Sequence, residues 1–143
     1  MTYAGRCNCG AVTLAITGEP VAVRQCWCRQ CQKVAAGGAT HNAMFPVDAI
    51  ATMGDLARHA YTADSGNTLT HEFCRACGSH VFSQTSARPH LRNVRLGILD
   101  EGHGLAPNMA IWLDDAPPYA VIAPGLETFA RQPPVPVKPG SGS

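Results

Sequence analysis

The sequence predicts a mainly β fold: short antiparallel strands in small sheets, with little helix. Three observations predict it. Short runs rich in Val, Ile, Thr and aromatic residues recur along the chain, several with apolar and polar residues alternating. Fourteen glycines and eleven prolines punctuate them, and these residues end strands and make turns. Seven cysteines fall into three tight clusters far apart in sequence, which can tie such strands together.

Taken in order, Gly5-Arg6-Cys7-Asn8-Cys9-Gly10 reads as a tight turn. Residues two apart in extended chain point the same way, so Cys7 and Cys9 face one point. Gly10 lets the backbone bend close to the sulfurs, where amide N–H groups can bond to thiolate. Residues 11–16 are β-branched enough for a strand, ended by Thr17-Gly18-Glu19-Pro20. Residues 21–25 form a second short strand that runs into Cys26-Trp27-Cys28-Arg29-Gln30-Cys31. Residues 29–36 suit one or two helical turns, stopped by Gly37-Gly38. Residues 40–46 read as a strand and 47–51 as a turn of helix after Pro46. Residues 58–63 and 69–73 form a hairpin about the turn Asp64-Ser65-Gly66-Asn67-Thr68. That hairpin delivers Cys74-Arg75-Ala76-Cys77-Gly78, and a strand leaves from residue 79. Apolar residues at 94, 96 and 98 give residues 91–99 the period of a half-buried strand, and residues 109–113 form a last one.

Size and charge narrow the field. A chain of 143 residues with 45% apolar content suits one domain, placed over residues 1–130. Residues 131–143 form a Pro/Gly/Ser-rich tail that cannot build a core and is expected to be disordered. A net charge of +1 gives no electrostatic footprint for nucleic acid. No long apolar run suggests a membrane, and the N-terminus carries no apolar signal segment. Metal-spaced thiols imply a reducing compartment, so the expected location is the cytoplasm. The oligomeric state is not legible.

The cysteines carry the chemistry. C-x-C-x-x-C at Cys26, Cys28 and Cys31 is too compact for unstrained disulfides and suits soft-ligand metal such as zinc. Three protein ligands leave a position open, as in catalytic zinc sites. The outlying pairs Cys7/Cys9 and Cys74/Cys77 supply four thiolates, enough for one closed structural zinc. The expectation is therefore two zinc ions per chain, one structural and one catalytic. A closed second site completed by a histidine, His41 or His80, or by a carboxylate is the competing arrangement, and seven plain core cysteines the bland one. Read as a redox pair, Cys74/Cys77 would need a βαβ context that is not visible. Arg24, Arg29 and Lys33 lie close in sequence to the central thiolates and can offset their charge or attract an anionic substrate; for each the plain alternative is a solvated surface side chain. Trp112 and Tyr119 are candidates for a pocket wall, with buried core aromatics the plainer reading.

The pattern Gly5-x-Cys7-x-Cys9-Gly10, Cys26-x-Cys28-x-x-Cys31, Phe73-Cys74-x-x-Cys77-Gly78 resembles the glutathione-dependent formaldehyde-activating enzyme family, which also includes centromere protein V. The resemblance runs on through Arg88-Pro89, Val94-Arg95-x-Gly97-x-Leu99-Asp100, Ile111-Trp112 and Pro117-Pro118. It implies an Mss4-like β-tent fold. It implies zinc-dependent carbon–sulfur lyase chemistry on a small-molecule thiol or thiol adduct of the S-hydroxymethylglutathione type. It makes Cys7, Cys9, Cys74 and Cys77 structural ligands and Cys26, Cys28 and Cys31 catalytic ones. His41, His71 and His80 are candidates for moving the proton. The alternatives are a zinc hydrolase or isomerase on another small carbonyl or imine, and a non-catalytic zinc interaction module.

Overall fold

The computed structural model describes residues 2–134. Eleven strands and one short helix follow one another: β1 Thr2–Arg6, β2 Thr13–Thr17, β3 Ala22–Cys26, α1 Arg29–Val34, β4 Thr40–Pro46, β5 Ile50–Met53, β6 Leu56–Thr62, β7 Thr68–Cys74, β8 His80–Thr85, β9 Leu91–Arg95, β10 Met109–Ile111 and β11 Glu127–Thr128. The mainly β fold is the one expected. Strands β1, β2 and β5 make a small antiparallel sheet. The other eight form one sheet in the order β11-β10-β3-β4-β9-β8-β7-β6. Its β10 edge departs from the antiparallel expectation, since β10 runs parallel to both β3 and β11.

Alternation explains how the sheets stack. In β2, Leu14 and Ile16 are buried while Thr13, Ala15 and Thr17 face water. In the large sheet, register aligns Val23, Ala43, Val94 and Phe82 side by side across β3, β4, β9 and β8. These residues, with Tyr3, Leu14, Ile16 and Phe45, form the main core between the two sheets. The Tyr3 and Phe45 rings meet across it at 5.8 Å. Phe82 has no exposed surface, so Phe82→Ala leaves a cavity and is expected to cost about 3–5 kcal/mol. A denaturant melt reads it.

One residue along each strand, the side chains turn to the other face. There the aligned row is Arg24, Asn42 and Arg95, and Cys26 lies on the same face two residues beyond Arg24. A sheet face that buries arginine and cysteine rather than valine is built around a site.

Some boundaries differ from the reading of the sequence. The run 91–99 is not one strand: β9 stops at Arg95 and residues Leu96–Ile98 make a 3₁₀ turn, which brings Leu99 against Gly5. Residues 47–51, read as a turn of helix, make a 3₁₀ turn only over Val47–Ala49 and pass into β5 at Ile50. Strands β1 and β11 carried no clear periodic signal, and β1 spends its inward positions on Tyr3 and Gly5, where glycine hides the pattern. Residues 131–134, placed in the tail, lie against the fold. The Arg131 carbonyl accepts from the Trp112 amide at 3.3 Å, and Pro133 is buried. Residues 135–143 of the expected tail lie outside the described residues.

Candidate metal centres

The outer cluster assembles at the exits of β1 and β7. The sulfurs of Cys7, Cys9, Cys74 and Cys77 lie within 4.8 Å of one another. Cys7–Cys9 is 3.6 Å and Cys9–Cys74 is 3.8 Å, sulfur to sulfur. A tetrahedral ion with metal–sulfur bonds of ~2.3 Å needs edges of about 3.8 Å, so these spacings fit. Each pair sits in a tight turn that ends on a glycine with positive φ: Gly10 at 79° and Gly78 at 78°. Those turns aim amides at sulfur, Val12 N–H at Cys7 (3.3 Å) and Cys77 N–H at Cys74 (3.4 Å). The Asn8 amide donates to Ser79 Oγ at 3.1 Å, which fastens one turn to the other without the ion.

The inner cluster forms where β3 gives way to α1. Cys26 ends the strand, Cys28 caps the helix and Cys31 lies in its first turn. The Cys28 sulfur takes the place usually held by a Ser or Asp oxygen and accepts the Cys31 amide at 3.2 Å. Gln32 holds the segment down, donating to the carbonyls of Trp27 (2.7 Å) and Asp115 (2.9 Å). All three sulfurs lie within 4.8 Å of one another. Cys28 and Cys31 are 2.8 Å apart and must part by about 1 Å to share a tetrahedral ion. Sulfurs this crowded do not all ionise alone. Cys31 is drawn down to about 3 by hydrogen bonding to Cys26 and Cys28. Cys26 is driven far upward by hydrogen bonding to Cys28 and Cys31. A divalent cation lets all three ionise together.

No His, Asp or Glu among the described residues joins this cluster. His41 is exposed and its ring nitrogen meets Gln25 at 3.1 Å. His80 is half-buried and lines a separate pocket with His41. The closed arrangement through either histidine is therefore not the one the chain adopts.

The three sulfurs open instead onto a cleft of about 630 Å³. Its wall includes Tyr61, His71, Asn42 and Trp112, and five arginines: Arg24, Arg29, Arg88, Arg95 and Arg131. Only two acids, Asp64 and Asp115, line it among the described residues. Arg24 is buried, while Arg29 and Lys33 are exposed, and Lys33 stays outside the cleft. Trp112 does form wall, on a left-handed backbone (φ 61°) that non-glycine residues seldom adopt. Tyr119 belongs neither to the wall nor to the core: it is 66% exposed and donates to the Gly37 carbonyl.

Of the three candidate histidines only His71 lines this cleft. Burial, and then the Arg95 charge, hold its pKa down at about 4. It is neutral near pH 7. Tyr61 beside it, ring to ring at 5.6 Å, is pushed up to about 12 by burial and then by the Cys28 charge, so it keeps its proton. A histidine depressed on folding costs stability once pH drops below its unfolded value of ~6.5, because only the unfolded chain takes the proton. Between pH 7 and 4 the protein should lose roughly 3 kcal/mol more than His71→Gln does, read from paired denaturant melts. Metal loss in acid is common to both proteins and cancels in the difference.

Asn42 and Tyr61 were not singled out from the sequence, and Arg88 and Arg95 entered it only as parts of the resembling pattern, with no role given. Arg95 has a signal: it alternates with Val94, so it must face away from the core.

No curated protein is similar enough to the chain to count as a relative. A solved structure of a Rhodobacter sphaeroides protein is 26% identical, with a TM-score of 0.54 over 73% of this chain and 91% of that one. The family description of the glutathione-dependent formaldehyde-activating enzyme matches residues 2–115, a stretch that contains all seven cysteines and strands β1 to β10. The chain belongs to the glutathione-dependent formaldehyde-activating enzyme family.

Proposed function

We propose that the protein is a zinc-dependent carbon–sulfur lyase that joins a small-molecule thiol to an aldehyde carbon, or releases them, with S-hydroxymethylglutathione as the type of adduct. One observation carries the reading: three cysteine sulfurs open onto a small-molecule-sized cleft, and no fourth side-chain ligand among the described residues closes their shell. In this reading Cys7, Cys9, Cys74 and Cys77 hold a structural zinc and Cys26, Cys28 and Cys31 a catalytic one. Zinc held by three thiolates leaves one position for a thiol and lowers that thiol's pKa.

The residues around it divide the remaining work. Arg24 and Arg95 offset the negative charge of the sulfurs. The thiol sulfur bonds to the aldehyde carbon, and the carbonyl electron pair moves onto oxygen. Tyr61, which keeps its own proton, hydrogen-bonds to that oxygen, and neutral His71 takes up the proton the thiol gives off and passes it to the oxygen. Release runs the same steps backward. The partner is a small molecule rather than a nucleic acid, and thiols that must stay reduced place the protein in the cytoplasm.

The test is exchange NMR of glutathione and formaldehyde with protein carrying two zinc ions per chain. Formation of S-hydroxymethylglutathione should speed up beyond the spontaneous rate; fully loaded protein that accelerates neither this reaction nor that of any other small aldehyde would sink the proposal. Tyr61→Phe should lower kcat about 100-fold with KM within a factor of three, because its hydrogen bond strengthens only as charge develops on oxygen.

A further inference from the structure

Arg24 and Arg95 are cations where folds rarely bury them: they are 5% and 7% exposed. They flank Asn42 in one row across three strands. Arg95 Nη1 donates to Asn42 Oδ1 at 2.7 Å, and Asn42 Nδ2 donates to Thr40 Oγ1 at 3.0 Å, so the asparagine amide is engaged at both ends. Arg24 Nε, Arg95 Nε and Arg95 Nη2 find no partner. Arg88 lies close enough to Arg24 to repel its charge. No carboxylate among the described residues pairs with any of the three. Buried guanidinium donors without an acceptor are costly, and a fold that keeps them holds them for something absent from its own chain.

Charge counting says how much is missing. Zinc with three thiolates carries −1, and three guanidiniums carry +3, which leaves +2. A substrate thiolate supplies one negative charge. The second has to come from elsewhere on the bound molecules, and a guanidinium fork matches a carboxylate.

We infer that Arg24 and Arg95 form a carboxylate subsite beside the three sulfurs, and that the aldehyde taken there bears its own carboxylate, a 2-oxo acid of the glyoxylate kind rather than formaldehyde. The inference rests on the lyase reading and names its electrophile. Position decides which reactant owns the carboxylate. Arg24 is two residues from Cys26 on one strand face, a Cα separation of roughly 6.6 Å. A carboxylate on the reacting carbon falls within that reach. The carboxylates of a peptide thiol lie several bonds from sulfur and meet the exposed Arg29 and Arg131 further out. The chemistry balances without any oxidant. The S–C bond forms at the aldehyde carbon, the π pair goes to oxygen, and the thiol proton ends there.

The experiment crosses two thiols, glutathione and 2-mercaptoethanol, with two aldehydes, glyoxylate and formaldehyde, on zinc-loaded protein and on Arg24→Gln. The unmodified protein should prefer glyoxylate at least 30-fold in kcat/KM with either thiol. Arg24→Gln should lower kcat/KM for glyoxylate at least 30-fold more than for formaldehyde, whatever loss the two aldehydes share from the charge Arg24 lends the sulfurs. Glycolate, which cannot react, should bind the unmodified protein in calorimetry and lose at least tenfold in affinity on Arg24→Lys, which keeps the charge but not the fork. Equal or better use of formaldehyde by the unmodified protein overturns the inference while leaving the lyase reading intact. An Arg24→Gln defect that follows glutathione rather than glyoxylate assigns the subsite to the thiol and overturns it too. Inactivity with every pair removes both readings together.

Discussion

Replacing Cys74 by serine is expected to unfold the chain, whereas replacing Cys28 by serine leaves it folded with one metal equivalent fewer. The difference lies in what each ion holds together. The outer cluster joins the exit of β1 to the exit of β7, and Cys9 meets Cys74 across 65 residues. Cys7 and Cys74 are also 2% and 1% exposed members of the main core. A structural zinc held there would supply about 10–16 kcal/mol of apparent binding energy, as much as the whole stability of a typical domain. The inner cluster, by contrast, spans Cys26 to Cys31, so an ion there closes only a short loop and restrains little chain. Serine at position 28 also keeps a good helix cap for the Cys31 amide. Circular dichroism and metal analysis of the two variants decide it. Equal unfolding of both would make the inner ion structural and defeat the lyase reading.

The second large effect is expected far from any reacting atom. Gly54, between β5 and β6, sits at φ 108°, and an added Cβ would lie 2.1 Å from the Ala11 carbonyl oxygen and 2.9 Å from Val12 Cα. Both neighbours are backbone, so no rotamer relieves the clash. Gly54→Ala should cost at least about 3 kcal/mol, the upper end for one substitution, through left-handed strain and displaced chain together. The displaced chain matters to the metal. Val12 donates its amide to the Cys7 sulfur, and Cys7 donates its own to the Val12 carbonyl. The variant should therefore also release its outer metal to a chelator sooner. A melt within about 1 kcal/mol of the parent would show that this crossing is not tight.

The metal clusters were legible in the sequence because each ligand pair is local. Cys7/Cys9, Cys74/Cys77 and the Cys26–Cys31 triplet announce themselves by spacing. The strands were legible where alternation is clean, as in residues 11–16 and the hairpin about Ser65-Gly66. The arginine row was not. Arg24 and Arg95 stand 71 residues apart, and only the registers of β3 with β4 and of β4 with β9 put them on either side of Asn42. Near-zero net charge misled in the same way. A chain at +1 can still gather five arginines around one cleft, and a sum over the sequence does not report their placement. Among the histidines, the chemistry of the side chain could not rank His71 above His41 and His80; burial and the cleft wall do.

The family match ends at residue 115, yet the chain comes back afterwards to finish the cleft. β11 adds onto β10, the Leu113 and Asp114 amides reach the carbonyls of Phe129 and Ala130, and Arg131 and Gln132 complete the rim beside Trp112. This returning ribbon supplies none of the seven cysteines, yet its Phe129 packs against the cluster of Cys26, Cys31 and Ile111, so it shapes the cleft from the rim down to the sulfurs. Exchanging it between relatives is expected to change which molecules the cleft admits while leaving all seven cysteines in place.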